Sequence, residues 1–175
     1  MQIREANIDD ADKIKKVYLQ AFDDPESEMV SGLAVDLLEE NHPVKTISLV
    51  AVENNEIVGH ISFTPVFLEK TNEQLGYILA PLAVAPEFQK NKIGTSLVMC
   101  GLELISKMGS FIIFVYGDPQ YYSRFGFKTE LDEKFIPPYP LQYPEGWQAL
   151  KSASAVFPEG GRIICVGSLN VPELW

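Results

Sequence analysis

The residues with the clearest capacity for chemistry lie between Leu82 and Leu97, in the run Leu-Ala-Val-Ala-Pro-Glu-Phe-Gln-Lys-Asn-Lys-Ile-Gly-Thr-Ser-Leu. The run reads as the end of a buried strand, a turn opened by Pro86, and a helix whose start, from Gln89 to Thr95, is polar and contains a glycine. At a helix start the first backbone N–H groups have no intrahelical acceptor and the dipole adds partial positive charge. Phosphate oxygens are accepted there without dedicated side chains. Lys90 and Lys92 fall at or just before that start, where a cation is disfavoured by about 0.3–1 kcal/mol. A bound anion reverses the sign; otherwise both lysines point into water at almost no cost. The chain has no G-x-x-x-x-G-K-[ST], and no G-x-G-x-x-G follows an early strand, so any phosphate is held on another scaffold.

A second group is Tyr121-Tyr122-Ser123-Arg124-Phe125-Gly126-Phe127. Asp118 and Pro119 precede it as N-cap and first residue of a short helix. A phenol has an ordinary pKa of about 10 and serves as a proton donor when it faces a basic partner; the alternative is a packed ring with a satisfied hydroxyl. His60, after Gly59 in a strand interior, reads as a satisfied core histidine. The two cysteines, Cys100 and Cys165, are too few for a disulfide framework or a zinc site, and no metal is expected. Cys100 reads as a buried structural thiol.

The elements that must position these groups follow from pattern. A strand near Gln2–Ala6 leads to a helix capped by Asn7 or Asp9, with Ile14, Val17, Tyr18 and Ala21 on one face. Asp24 and Pro25 open a second helix carrying Met29, Leu33, Leu37 and Leu38 and ending near Asn41. Ile47–Val52 and Ile57–Leu68 form a hairpin across Asn54-Asn55, and Leu75–Val84 is a strand interrupted by Pro81. A helix over about Lys92–Lys107 turns Leu97, Val98, Gly101, Leu102 and Ile105 inward, and Phe111–Tyr116 is a buried strand. Residues 131–146 make an irregular but ordered loop rich in proline and aromatics. Strands near Trp147–Ser152 and Arg162–Val166 complete the sheet.

With 175 residues, 46% of them hydrophobic, the chain suits one α/β domain over residues 1–175. A net charge of −10 argues against nucleic acid or an anionic membrane as partner. No apolar run reaches the roughly 18 residues of a membrane span and no secretory leader opens the chain, so a cytoplasmic protein is expected.

The stretch from Leu82 to Leu97 resembles the cofactor motif of the GNAT superfamily of acyl-CoA-dependent N-acyltransferases, Q/R-x-x-G-x-G/A at the start of a long helix. Gln89, Gly94 and Thr95 stand at or beside matching positions, and Lys92 stands where the family usually has its first glycine. The segment from Tyr121 to Phe127 is similar to the family's Y-x-x-x-G-F element. The resemblance implies a mixed, mostly antiparallel central sheet flanked by helices on both faces. It implies acetyl-CoA as acyl donor, its pyrophosphate on the backbone of Gln89, Lys90, Asn91, Lys92, Ile93, Gly94 and Thr95. Its pantetheine would pair with main chain at Leu82, Ala83 and Val84. Tyr122 would be the general acid for the leaving thiolate, with Tyr121 in reserve. Asp118, His60 and Glu53 are the candidates for a base. The acceptor is a primary amine of a small molecule or an exposed protein amine, and the acidic residues Asp9, Asp10, Asp12, Asp23, Asp24, Glu26 and Glu28 favour a cationic one. A second copy of the chain is a candidate partner, and a non-catalytic acyl-CoA sensor is the alternative function.

Overall fold

The computed structural model describes residues 1–109, 112–129, 134–152 and 160–175. Its strands form a mixed, mostly antiparallel sheet flanked by helices. The chain divides into two units, one of Met1–Phe63 and Ala80–Leu104, the other of Thr64–Leu79 and Ile105–Trp175.

In the first unit, β1 (Gln2–Glu5) pairs antiparallel with β2 (Ile47–Glu53), and β2 with β3 (Glu56–Leu68). Asn54 and Asn55 connect the last two with φ of 47° and 68°. Both values are those of a type I′ turn, which asparagine tolerates and which matches the twist of the strands it joins. Asn7 caps a 3₁₀ turn at Ile8–Asp10, and the Asp10 carboxylate accepts from the Asn7 amide at 2.9 Å in return. Asp10 is only 4% exposed, and Arg4 donates to both its oxygens at 2.7 and 2.8 Å. That fork, ahead of smaller contributions, holds the Asp10 carboxyl below the usual range.

Helices α1 (Ala11–Ala21) and α2 (Glu26–Glu39) follow. Ile14, Val17 and Tyr18 of α1 meet Ala34 of α2, Val50 of β2 and Ala83 of β4 (Gln74–Val84) in one buried cluster. The expected inward face of α2 needs one correction. Met29 is 41% exposed, while Ser27 and Ser31 are buried. Small side chains permit close helix packing, and each serine satisfies itself locally: Ser31 Oγ donates to the Glu28 carbonyl and Ser27 Oγ to Asp24. Pro25 rather than Asp24 occupies the cap position, so α2 starts one residue late.

Helix α3 (Ile93–Met108) buries Ile93, Leu97, Val98 and Ile105. Gly101 faces the Phe63 ring so closely that a Cβ there would lie 2.0 Å from it. Cys100 is half-buried rather than buried; Cys165 is the buried thiol, its pKa pushed up to about 12 by burial. Among the described residues no helix is long and apolar enough to cross a membrane.

In the second unit, β4 runs parallel to β5 (Ile112–Tyr116) over Gly76–Leu79, and β5 antiparallel to β7 (Trp147–Lys151). Strand β4 runs to Val84 as expected from sequence, and its pairing with β5 stops at Leu79, just ahead of Pro81, which has no ladder N–H to give. Phe111, placed at the start of β5 from sequence, lies outside the described residues, as do 131–133 of the irregular loop. The last residues of β3 pair with β8 (Gly161–Cys165), which carries the short β6 (Phe135–Ile136) on its other side. Phe114 stacks on Trp147 at 5.2 Å and meets Phe135 edge-on at 5.6 Å. The described part of the proline-rich segment is held by specific bonds, including Arg162 to the carbonyls of Pro137 and Pro138 and Tyr139 to that of Asn170.

Candidate functional site

A candidate anion site in the first unit is made of backbone. Strand β4 ends with Leu82 and Val84 half-buried and Ala83 buried. The Ala85 amide then donates to Val58 and a 3₁₀ turn at Pro86–Phe88 reverses the chain. Gln89 Nε2 donates back to the Val84 carbonyl at 3.1 Å, tying the turn to the strand end. Lys90 and Lys92 both adopt left-handed conformations, with φ of 63° and 62°. Such conformations in alternation turn successive N–H groups toward one concavity, an arrangement that accepts anions. Helix α3 begins at Ile93, its first bond running from the Ser96 amide to the Lys92 carbonyl. The amides of Ile93, Gly94 and Thr95 therefore precede the intrahelical ladder. Lys90, Asn91 and Lys92 are exposed, and among the described residues their side chains make no hydrogen bond or ion pair.

Sequence alone did not reveal that two lysines take left-handed backbone. Lysine carries no turn signal, and a left-handed L-residue costs about 1–2 kcal/mol. Glycine at Lys92, the residue expected there by resemblance, is the one that would relieve it.

A separate candidate group, within the second unit, is made of packed rings. Asp118 caps α4 (Pro119–Tyr122), its carboxylate accepting from the Gln120 amide at 2.8 Å. A 3₁₀ turn at Ser123–Phe125 follows and Gly126 closes it with φ of 89°. Tyr122 lies edge-on to Tyr121 at 5.0 Å and to Phe127 at 5.9 Å. The Arg124 guanidinium sits 4.5 Å above the Tyr121 ring. Gly117 lies against Tyr122, for a Cβ there would come within 2.7 Å of the ring. No hydrogen bond among the described residues holds the Tyr122 hydroxyl. Burial, then the nearby Tyr121 and Asp118, push its pKa above the ordinary phenol value, so it keeps its proton at neutral pH.

The candidate bases fare differently. His60 is fully buried, with Nδ1 2.8 Å from the Tyr18 hydroxyl and Nε2 2.8 Å from Ser48 Oγ. Burial pushes its pKa down to about 3, so it is a neutral core residue. Asp118 is engaged as a cap, and Glu53 pairs with the Met1 amino group at 2.9 Å. Of the seven acidic residues in or near the first two helices, Asp10 is paired with Arg4, and Asp9, Asp12, Asp23, Asp24, Glu26 and Glu28 are exposed. No group of three or more His, Cys, Asp or Glu among the described residues is placed to hold a metal.

Each feature, the left-handed loop opening a helix and the tyrosine ahead of a glycine-closed turn, falls in a segment that resembles a motif of the acyl-CoA-dependent acyltransferases. Residues 45–129 match the acetyltransferase (GNAT) domain. The chain is 38% identical to the uncharacterized N-acetyltransferase YjhQ of Escherichia coli K12, over 75% of this chain and 72% of that protein. It is 32% identical to the uncharacterized N-acetyltransferase YhbS of the same organism, over 68% of each. The crystal structure of YhbS in complex with CoA superposes with a TM-score of 0.84, at 26% identity, covering 97% of this chain and 92% of that one. A GNAT acetyltransferase of Brucella melitensis in complex with acetyl-CoA gives 0.70, at 28% identity, covering 96% and 97%. The chain belongs to the GNAT family of N-acetyltransferases.

Proposed function

We propose that the protein, as a single domain over residues 1–175, transfers the acetyl group of acetyl-CoA to a primary amine of a small molecule or an exposed protein amine. The observation that carries this reading is the pair of left-handed lysines leading into α3, whose first amides have no acceptor in the helix, an arrangement that suits an anion. When bound, acetyl-CoA supplies a thioester activated toward amines. The backbone of Gln89–Thr95 takes its pyrophosphate, with Lys90 and Lys92 adding unpartnered positive charge, and the main chain of Leu82–Val84 takes its pantetheine amides.

Tyr122 Oη holds the proton offered to the thiolate as it departs. With the phenol above 10 and a thiol near 8.5, complete transfer is uphill by at least about 2 kcal/mol. Donation of a strong hydrogen bond is therefore the favoured form of the contribution. The exposed carboxylates of Asp9, Asp12, Asp23, Asp24, Glu26 and Glu28 favour a cationic acceptor amine.

The test is a thermal melt with and without acetyl-CoA and free CoA, followed by a screen of primary amines for thiol release. A ligand at a hundred times its dissociation constant stabilises the fold by roughly 2.7 kcal/mol. A shift with both ligands and thiol release with at least one amine are expected. No shift with either ligand would overturn the reading.

A further inference from the structure

Gln148 is a polar residue of β7 with 2% exposure, and the reaction outlined above does not use it. Its side-chain nitrogen lies 3.2 Å from the Gly117 carbonyl and 3.4 Å from that of Gly146. Both neighbours are acceptors, so only the NH2 end of the amide can face them. The Gly117 amide in turn donates to Gly146 at 2.9 Å. Gly117 and Gly146 approach so closely that a Cβ on Gly146 would lie 3.2 Å from the Gly117 oxygen. The same Gly117 presses on Tyr122, whose ring stands within 2.7 Å of where its Cβ would be. Asp118, the next residue, anchors the helix through its carbonyl, which accepts from the Tyr121 and Tyr122 amides at 3.0 and 3.1 Å.

We infer that Gln148 is a positioning residue for Tyr122: its amide fixes the Gly117 peptide, and that peptide fixes the ring and the start of α4. The inference rests on Tyr122 serving the leaving thiolate. An amide buried in a strand without a task is costly, because an apolar residue of the same size would fill the space with no hydrogen bonds to satisfy. Here the shorter of its two contacts, 3.2 Å against 3.4 Å, goes to the peptide that bears on the reactive phenol. Displacement of a reacting group by as little as 1 Å can cost up to a hundredfold in rate.

The test is a double-mutant cycle on the full chain with acetyl-CoA and the amine found in the screen. Gln148→Met keeps size and removes the donor, and Gln148→Glu keeps shape but sets an acceptor against two carbonyls. Melting curves with and without CoA establish that each variant is folded and binds. Expected is a fall in kcat of about tenfold for Gln148→Met with KM for acetyl-CoA changed less than about twofold, and a larger fall for Gln148→Glu. In a Tyr122→Phe background, Gln148→Met should cost nothing further, because the group it positions is gone. Additive losses, or an unchanged kcat in the folded Gln148→Met variant, would overturn the inference while leaving Tyr122 in its role. An unchanged kcat in Tyr122→Phe alone would instead overturn the reading on which it rests.

Discussion

Two tyrosines, one in each unit, meet burial in opposite ways. Tyr18 is fully buried and its hydroxyl is 2.8 Å from His60, which in turn bonds Ser48; every polar atom of that file has an internal use. Tyr122 is half-buried among rings, and no hydrogen bond among the described residues holds its hydroxyl. The first arrangement is what a core requires, since a buried polar group without a partner costs about 1–3 kcal/mol. The second keeps one hydrogen-bonding group uncommitted, the condition for acting on something that is not part of the chain. Burial thus marks neither tyrosine as functional; the difference in partners does.

That contrast can be broken by exchanging the readouts. Tyr122→Phe should lower kcat by about a hundredfold while leaving the melting temperature nearly unchanged; comparable activity would make Tyr122 a second Tyr18. Tyr18→Phe should do the reverse, destabilising by about 1–3 kcal/mol in denaturant unfolding because a His60 nitrogen loses its partner, with kcat retained. Acid should sharpen it further. His60 has a folded pKa of about 3 against an ordinary 6.5, so the unfolded chain binds the extra proton between these values. Its contribution is complete above pH 6.5 and falls with acidification by about 1.4 kcal/mol per pH unit. A His60→Leu variant, measured by urea unfolding from pH 7 to 4, should show a shallower decline. The smallest effect belongs to the loop. Lys92→Gly removes about 1–2 kcal/mol of left-handed strain and adds about 0.5–1 kcal/mol of unfolded-state entropy, leaving a net stabilisation of at most about 1.5 kcal/mol. The CoA-dependent melting shift should persist in that variant, since the amides it turns inward remain.

What could be read from sequence was whatever a local rule determines. The Asn54-Asn55 turn, the Asp118 cap and the span of α3 to within a residue follow from the conformational needs of those residues. Met29 departs from expectation because periodicity weighs size, while α2 buries the small residues Ser27, Ser31 and Ala34, the last of them against α1. Lys90 and Lys92 gave no hint of left-handed backbone, because the cost is borne by the surrounding turn. Gln148 was invisible for a related reason: an isolated polar residue in a strand reads as a solvent face until its opposite neighbours are known. The site residues were legible as types, and their environments only in three dimensions.

The exposed turn at Lys90–Lys92 also makes the protein its own reporter. Each lysine presents a bond that trypsin cuts, yet a protease needs several residues extended, and this turn is curled and tied by Gln89 to Val84. Cleavage must therefore wait for local opening. Any compound that settles on the loop lowers the open population in proportion to its own affinity, so the rate of nicking there becomes a titration of occupancy that needs neither turnover nor a known amine.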